Sequence, residues 1–283
     1  MRTEQEMYSL ILDFAQSDQR IRLVGMEGSR TNIHIPRDSF QDYDISFLVT
    51  DMDSFRRDDG WLDAFGQRLL LQKPEDMELY PPELGNWFSY LMLFEDGNKL
   101  DLTLIPLEEL DLYLASDKLL KILLDKDGRV PDPPIPTDRD YWIKKPSPRS
   151  FDDCCNEFWF LTTYVAKGLC RKEILFAAEY LEERLRPELL RMLGWIVGTR
   201  TDFSCSVGKS CKFLKGFIEP ELWEALLTTY QNGSYEAMWE SLWTCIRLFR
   251  DSSQKIARFL SCPYPNYDKK VSGYLRQLET SYR

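Results

Sequence analysis

The chain has 283 residues, comfortable for two domains, and 43% hydrophobic content supplies their cores. Seven cysteines at irregular spacing and a single histidine, His34, exclude a disulfide framework and argue against structural zinc. Charge is unevenly spread: residues 1–140 hold 29 acids and 15 bases, net −14, and residues 141–283 hold 17 and 21, net +4.

An acidic half lacks the basic groove of a nucleic-acid enzyme and favours a cationic acceptor, although solubility accounts for such acidity as well. No stretch approaches a membrane span, and the acidic start Met1-Arg2-Thr3-Glu4-Gln5-Glu6 lacks a signal peptide's apolar segment. A cytoplasmic protein with no membrane or nucleic-acid partner is expected.

Residues 3–17 carry Met7, Ile11, Leu12, Phe14 and Ala15 at helical spacing, which predicts a first amphipathic helix. Arg22-Leu23-Val24-Gly25-Met26 suits a buried strand near 21–26, which Gly28-Ser29 breaks, presenting backbone N–H groups and a hydroxyl to an anion. Asp42 and Asp44 head a second strand near 44–50. Residues i and i+2 of a strand share a face, so their carboxylates converge and repel unless a cation such as Mg²⁺ lies between them.

Further on, Asp53-Ser54 can cap a helix through about Phe65, and Gln67 to Gln72 reads as a strand. Pro74 and Pro81-Pro82 bracket an irregular segment. Trp87 to Phe94 and Lys99 to Ile105, joined by Glu95-Asp96-Gly97-Asn98, read as a hairpin with Asp101 on its second strand. A lone Asp in an apolar strand is costly to bury unless it meets a metal or a donor. Three carboxylates on neighbouring strands suit two Mg²⁺ ions, one lowering the pKa of an attacking hydroxyl and one neutralising a leaving pyrophosphate. Singly, each motif has a plainer reading as a turn, a solvated strand start or an edge residue; their order and strand context favour the site.

Six prolines between residues 131 and 148 forbid a continued helix or central strand. The domain boundary is placed there, giving 1–135 and 136–283. Beyond Phe151 the text is helical, with helices predicted near 151–170, 172–185, 187–199, 209–217, 220–230, 235–250 and 253–261 and one after Tyr267. Asp153, Glu157, Phe160, Tyr164, Lys167 and Arg171 line one face of the first of these. Its acidic end can receive ammonium or guanidinium groups, and Tyr164 and Lys167 can reach phosphate oxygens; a plain solvated face looks the same.

Gly-Ser, then Asp-x-Asp, then a lone Asp on a later strand resembles the polymerase-β-like nucleotidyltransferase superfamily. The wider text is similar to the bacterial aminoglycoside 6-adenylyltransferases, also called streptomycin adenylyltransferases. That similarity lies in Leu23 to Asp44, Lys73-Pro74-Glu75-Asp76-Met77-Glu78, Pro81-Pro82-Glu83-Leu84-Gly85-Asn86-Trp87-Phe88 and Phe151-Asp152-Asp153-Cys154-Cys155-Asn156-Glu157-Phe158-Trp159, and spans most of the chain.

With that resemblance the expected fold is α+β, a nucleotidyltransferase mixed sheet with helices followed by an all-helical, substrate-binding C-terminal domain. The expected reaction moves AMP from ATP to a hydroxyl of an aminoglycoside, releasing pyrophosphate. Gly28, Ser29 and Arg30 are expected to hold the β- and γ-phosphates, Asp42 and Asp44 both Mg²⁺ ions, and Asp101 one metal and the hydroxyl proton. That the acceptor is streptomycin and the position 6 is implied by the resemblance alone. Glu83, Asp153 and Glu157 are candidates for its guanidinium groups, Trp87 for an apolar wall, and Tyr164 and Lys167 for the nucleotide. Two rivals stand beside this reading: an adenylyltransferase for a protein or another cationic acceptor, and a catalytically silent nucleotide-binding module. Retention of all three acids disfavours the second. The sequence gives no oligomeric state.

Overall fold

Apolar side chains at alternate positions of Tyr43–Val49 and Lys99–Pro106 bury one face of a six-stranded sheet in the computed structural model, which describes residues 1–282. The strands are β1 (Ile21–Glu27), β2 (Tyr43–Val49), β3 (Arg68–Gln72), β4 (Phe88–Phe94), β5 (Lys99–Pro106) and β6 (Leu120–Asp125). Their order is β3-β4-β5-β2-β1-β6, with β2 and β5 parallel and the other pairs antiparallel.

Helix α1 (Glu4–Ser17) starts at a capping box between Thr3 and Glu6. Its Met7, Ile11 and Ala15 belong to one core with Val24, Tyr43, Ile45, Phe47, Leu100, Leu102 and Leu104. Burying each large side chain stabilises by roughly 1.5–3 kcal/mol, so this face anchors the sheet. The opposite face has a smaller apolar cluster, Leu23, Leu48, Ile105, Tyr113 and Leu120. Glu27, Asp44, Ser46, Asp101 and Thr103 occupy the remaining positions of that face, since they alternate with the core residues.

Two local expectations are corrected here. The helix predicted from Asp53 to Phe65 is broken into α2 (Met52–Arg56) and a 3₁₀ stretch, Asp59–Phe65, because the Asp58 carboxylate caps a new start by accepting from the Gly60 amide at 2.9 Å. Helix α3 (Leu110–Ser116) and strand β6, for which no element was predicted, fill the segment after β5.

These elements form a first unit, Met1–Asp140; a second begins at Tyr141, inside the proline-dense connector. The second unit is helical: α4 (Pro148–Cys170), α5 (Ile174–Glu179), α6 (Arg186–Thr201), α7 (Pro220–Thr228), α8 (Tyr235–Phe259) and α9 (Tyr267–Tyr282). A π-helical stretch, Tyr180–Leu185, makes α5 and α6 continuous where two helices were predicted. Pro187 explains it: its ring crowds the carbonyl four residues back, Glu183, and a widened turn relieves the clash.

Likewise α8 runs unbroken through Ser252-Ser253, the Ser253 hydroxyl donating to the Arg250 carbonyl at 3.1 Å. The helix predicted for 209–217 is two short 3₁₀ turns, Lys209–Cys211 and Leu214–Gly216. Among the described residues no helix is long and apolar enough to cross a membrane.

Candidate active site

Register brings the acids together. In the parallel pair β2/β5, Asp44 lies directly opposite Asp101, and in the antiparallel pair β1/β2 it lies opposite Glu27. Three carboxyl-bearing residues thus stand in one row across adjacent strands, on the face away from α1. Asp42, one residue before β2, joins them through a shared partner: Lys99 Nζ is 2.9 Å from Asp42 Oδ2 and 2.6 Å from Asp101 Oδ2. Lys99 lies two residues before Asp101 on the same strand, hence on the same face.

The electrostatics follow from crowding and burial. Burial, then the charges of Asp101 and Asp42, push the Asp44 carboxyl up to about 6. Burial also raises Asp101, against the pull of Lys99. For Lys99 burial acts to lower the pKa, and the hydrogen bonds to Asp101 and Asp42 outweigh it, leaving the ammonium firmly charged. Burial pushes Glu27 up to about 7, although hydrogen bonds from Tyr113 and Ser46 favour its charged form.

Two glycines make this packing possible. A Cβ on Gly28 falls 2.4 Å from Asp44 Oδ2, and Gly28 has φ +70°, so only glycine lets the turn after β1 lie against that carboxylate. A Cβ on Gly25 falls 1.5 Å from Tyr113 Oη. Without that gap the Tyr113 hydroxyl, on α3, does not reach the Glu27 carboxylate to which it donates.

The turn itself is held differently from expectation. The Gly28 amide donates to the Leu119 carbonyl at 3.1 Å, and the Thr31 hydroxyl donates to the same carbonyl at 3.0 Å. The residue leading into β6 therefore takes the Gly28 N–H that sequence reasoning offered to an anion. Arg30, expected on phosphates, has a buried guanidinium that donates to the carbonyls of Asp42 (3.0 Å) and Gln41 (2.7 Å) and lies over the Tyr43 ring at 3.7 Å. It fixes the backbone that carries Asp42. Ser29 is the second residue of this turn, Gly28–Thr31, and its carbonyl accepts from the Gln41 side-chain amide at 3.4 Å.

Trp87 lies just ahead of β4, its indole N–H donating to Glu109 at 2.7 Å and its ring edge-on to Tyr113 at 6.3 Å. It is thus linked through Tyr113 to Glu27. Glu83 is exposed in the preceding loop.

In the second unit, Asp153, Glu157 and Lys167 are exposed on α4, as the helical spacing required. Asp153 pairs with Arg149 one turn back at 3.1 Å. Tyr164 is half-buried, stacked on Tyr180 at 5.0 Å, with Lys167 Nζ 5.7 Å from its ring. These four residues belong to the second unit and the sheet cluster to the first.

Carboxylates on strands are the hard oxygen donors that Mg²⁺ takes, and Asp101 Oδ1 is buried with no hydrogen-bond partner among the described residues. Yet among these residues no three His, Cys, Asp or Glu are gathered closely enough to hold a metal ion. The donor set fits; its present spacing is that of carboxylates around an ammonium. Sequence reasoning missed Lys99, Glu27 and Tyr113. The i, i+2 rule applied to Lys99 and Asp101 reveals the first, and Gly25 inside a buried strand hints at a close approach.

The match to known proteins runs through the whole of this architecture. A family model described as streptomycin adenylyltransferase matches residues 1–278. An aminoglycoside 6-adenylyltransferase of Campylobacter jejuni is 57% identical, covering 100% of this chain and 98% of its own length. One of Bacillus subtilis (strain 168) is 55% identical with 100% of both chains covered. The crystal structure of an aminoglycoside 6-adenyltransferase from Bacillus subtilis aligns over 99% of each chain at 51% identity and a TM-score of 0.50.

Proposed function

Because the chain belongs to the streptomycin adenylyltransferase family, we propose that it transfers AMP from ATP to a hydroxyl of an aminoglycoside such as streptomycin, releases pyrophosphate and so inactivates the antibiotic. The observation that carries the reading is the row of Asp44 and Asp101 on parallel neighbouring strands, with Asp42 joined to it through Lys99. The modified hydroxyl is position 6, following the relatives' names. The site of action is the cytoplasm, where ATP is at hand.

In-line attack on the α-phosphorus needs positioning and charge neutralisation more than covalent help. Asp42, Asp44 and Asp101 would hold Mg²⁺, two ions in all, which when bound polarise the phosphates and acidify the attacking hydroxyl. Asp101 takes the hydroxyl proton. Gly28 keeps the turn against Asp44, Ser29 offers its hydroxyl to the phosphates, and Arg30 contributes by holding the Asp42 backbone in place. Glu83, Asp153 and Glu157 offer carboxylates to the cationic acceptor, with Trp87 as an apolar wall; Tyr164 and Lys167 serve the nucleotide.

The test is pyrophosphate release from each nucleoside triphosphate with Mg²⁺, with and without streptomycin. The reading expects release from ATP that depends on the aminoglycoside. Absence of any aminoglycoside-dependent release across a panel of acceptors overturns it.

A further inference from the structure

We infer that Lys99 is a resident counter-ion of the acid cluster: its ammonium keeps Asp42 and Asp101 together in the metal-free protein, competes with a divalent cation for them, and must leave when that cation binds. The inference rests on the metal-ion role of these acids proposed above.

Three observations carry it. First, Lys99 Nζ bonds both carboxylates at once, 2.9 Å from Asp42 and 2.6 Å from Asp101, and with Asp44 beside them the three acids repel one another without a positive charge among them. Second, Mg²⁺–oxygen distances are about 2.0–2.1 Å, so replacing the ammonium draws each carboxylate inward by about 0.5–0.9 Å. That is why the acids suit a metal chemically while none of their groupings is yet tight enough for one. Third, the exchange is balanced. The ammonium satisfies Asp101 Oδ2 and leaves Oδ1 buried without a partner, which a doubly charged ion can satisfy.

Lys99 is half-exposed, so the displaced ammonium has a path to water without disturbing the core on the other face of β5. The arrangement makes metal binding weak until something else, such as nucleotide phosphates, adds ligands to the ion. Lys99 is on this account a positioning residue, acting through Asp42 and Asp101.

The experiment measures Mn²⁺ binding to the chelator-treated full chain without nucleotide, by the loss of the free-ion EPR signal, for wild type, Lys99→Met, Lys99→Arg and Asp42→Asn. Lys99→Met is expected to bind Mn²⁺ at least about tenfold more tightly than wild type, because a competing charge at hydrogen-bond distance is gone. Lys99→Arg, which keeps the charge, is expected to stay weak. In chelator the Met variant should melt below wild type, and Mn²⁺ should raise its Tm more than it raises that of wild type.

Equal or weaker Mn²⁺ affinity in Lys99→Met overturns the inference. If it binds no more tightly than wild type while Asp42→Asn loses the ion, only the role of Lys99 fails. If no variant binds Mn²⁺ and Asp42→Asn behaves as wild type, the metal role of the acids fails with it. Should Lys99→Met not fold, a crystal structure of the wild-type protein with Mn²⁺ decides. Nζ out of hydrogen-bonding range of Asp42 or Asp101 supports the exchange, and Mn²⁺ bound with both contacts intact overturns it.

Discussion

The acids on the sheet and the acids on α4 differ in what holds them. Asp44 is placed by pairing with two neighbouring strands and walled by Gly28, and Asp42 is tied down through Arg30 and Lys99. Asp153 has a partner on its own helix, one turn away, and Glu157 is exposed. The first set is fixed by long-range contacts, and the second is held by its own helix alone. A substitution in the first should therefore cost chemistry, and one in the second should cost affinity for one substrate.

The largest effect tests the first half of that contrast. Asp42→Asn or Asp44→Asn should lower kcat by about 10³-fold or more while the thermal transition stays near wild type, since each removes a cation ligand and no core contact. More than a few per cent of residual activity in either folded variant breaks the claim that these carboxylates hold the metals.

Next comes Gly28→Ala, which touches no substrate directly. Its methyl must displace Asp44 Oδ2, and the +70° φ adds about 1–2 kcal/mol of backbone strain. A loss in kcat of about 10²-fold is expected, from a carboxylate moved by a fraction of an ångström or more. Wild-type kinetics in a folded Gly28→Ala protein would show that Asp44 does not need its present position.

A third effect is read in stability. Glu27 has its carboxyl raised from 4.5 to about 7, and Asp44 from 3.8 to about 6, so over these windows the folded chain holds protons the unfolded chain has lost. The unfolded state then binds fewer protons at these two groups, and their contribution to stability falls as pH rises from about 4 to about 7. Glu27→Gln removes its share, at most about 3 kcal/mol, and should flatten the curve of Tm against pH. An unchanged slope contradicts the burial of Glu27 as an acid.

The smallest effects on the fold belong to α4. Lys167→Ala, Asp153→Asn and Glu157→Gln should each change stability by no more than about 0.5 kcal/mol. Their kinetics should split, Lys167→Ala raising KM for ATP and the two acid variants raising KM for the aminoglycoside. If all three leave both constants untouched, α4 is scaffold and the acceptor contacts belong around Glu83 and Trp87.

Much of this was legible in the sequence because it is local. Apolar runs placed β1, β2, β4 and β5, the Asp-Gly turn placed the hairpin that carries Asp101, and helical spacing placed the exposed face of α4. What escaped was set by contacts between distant segments. The edge strand β6 has only six residues, two of them charged, Lys121 and Asp125, a weak pattern that pairing with β1 makes into a strand. Leu119, just ahead of it, then takes the Gly28 amide. The partners of Arg30 depend on where the Gln41-Asp42 backbone passes, and those of Glu27 on a tyrosine 86 positions away, neither of which spacing encodes.

With the sheet cluster as the centre of AMP transfer, the mass of the recovered aminoglycoside must depend on Asp44. After incubation with ATP and Mg²⁺, streptomycin treated with the wild-type protein should gain one adenylyl group, and streptomycin treated with an equal amount of folded Asp44→Asn should be recovered unchanged. An adduct formed by the Asp44→Asn protein at a rate near that of wild type would contradict the account, because transfer would then proceed without the carboxylate around which β1, β2 and β5 are arranged.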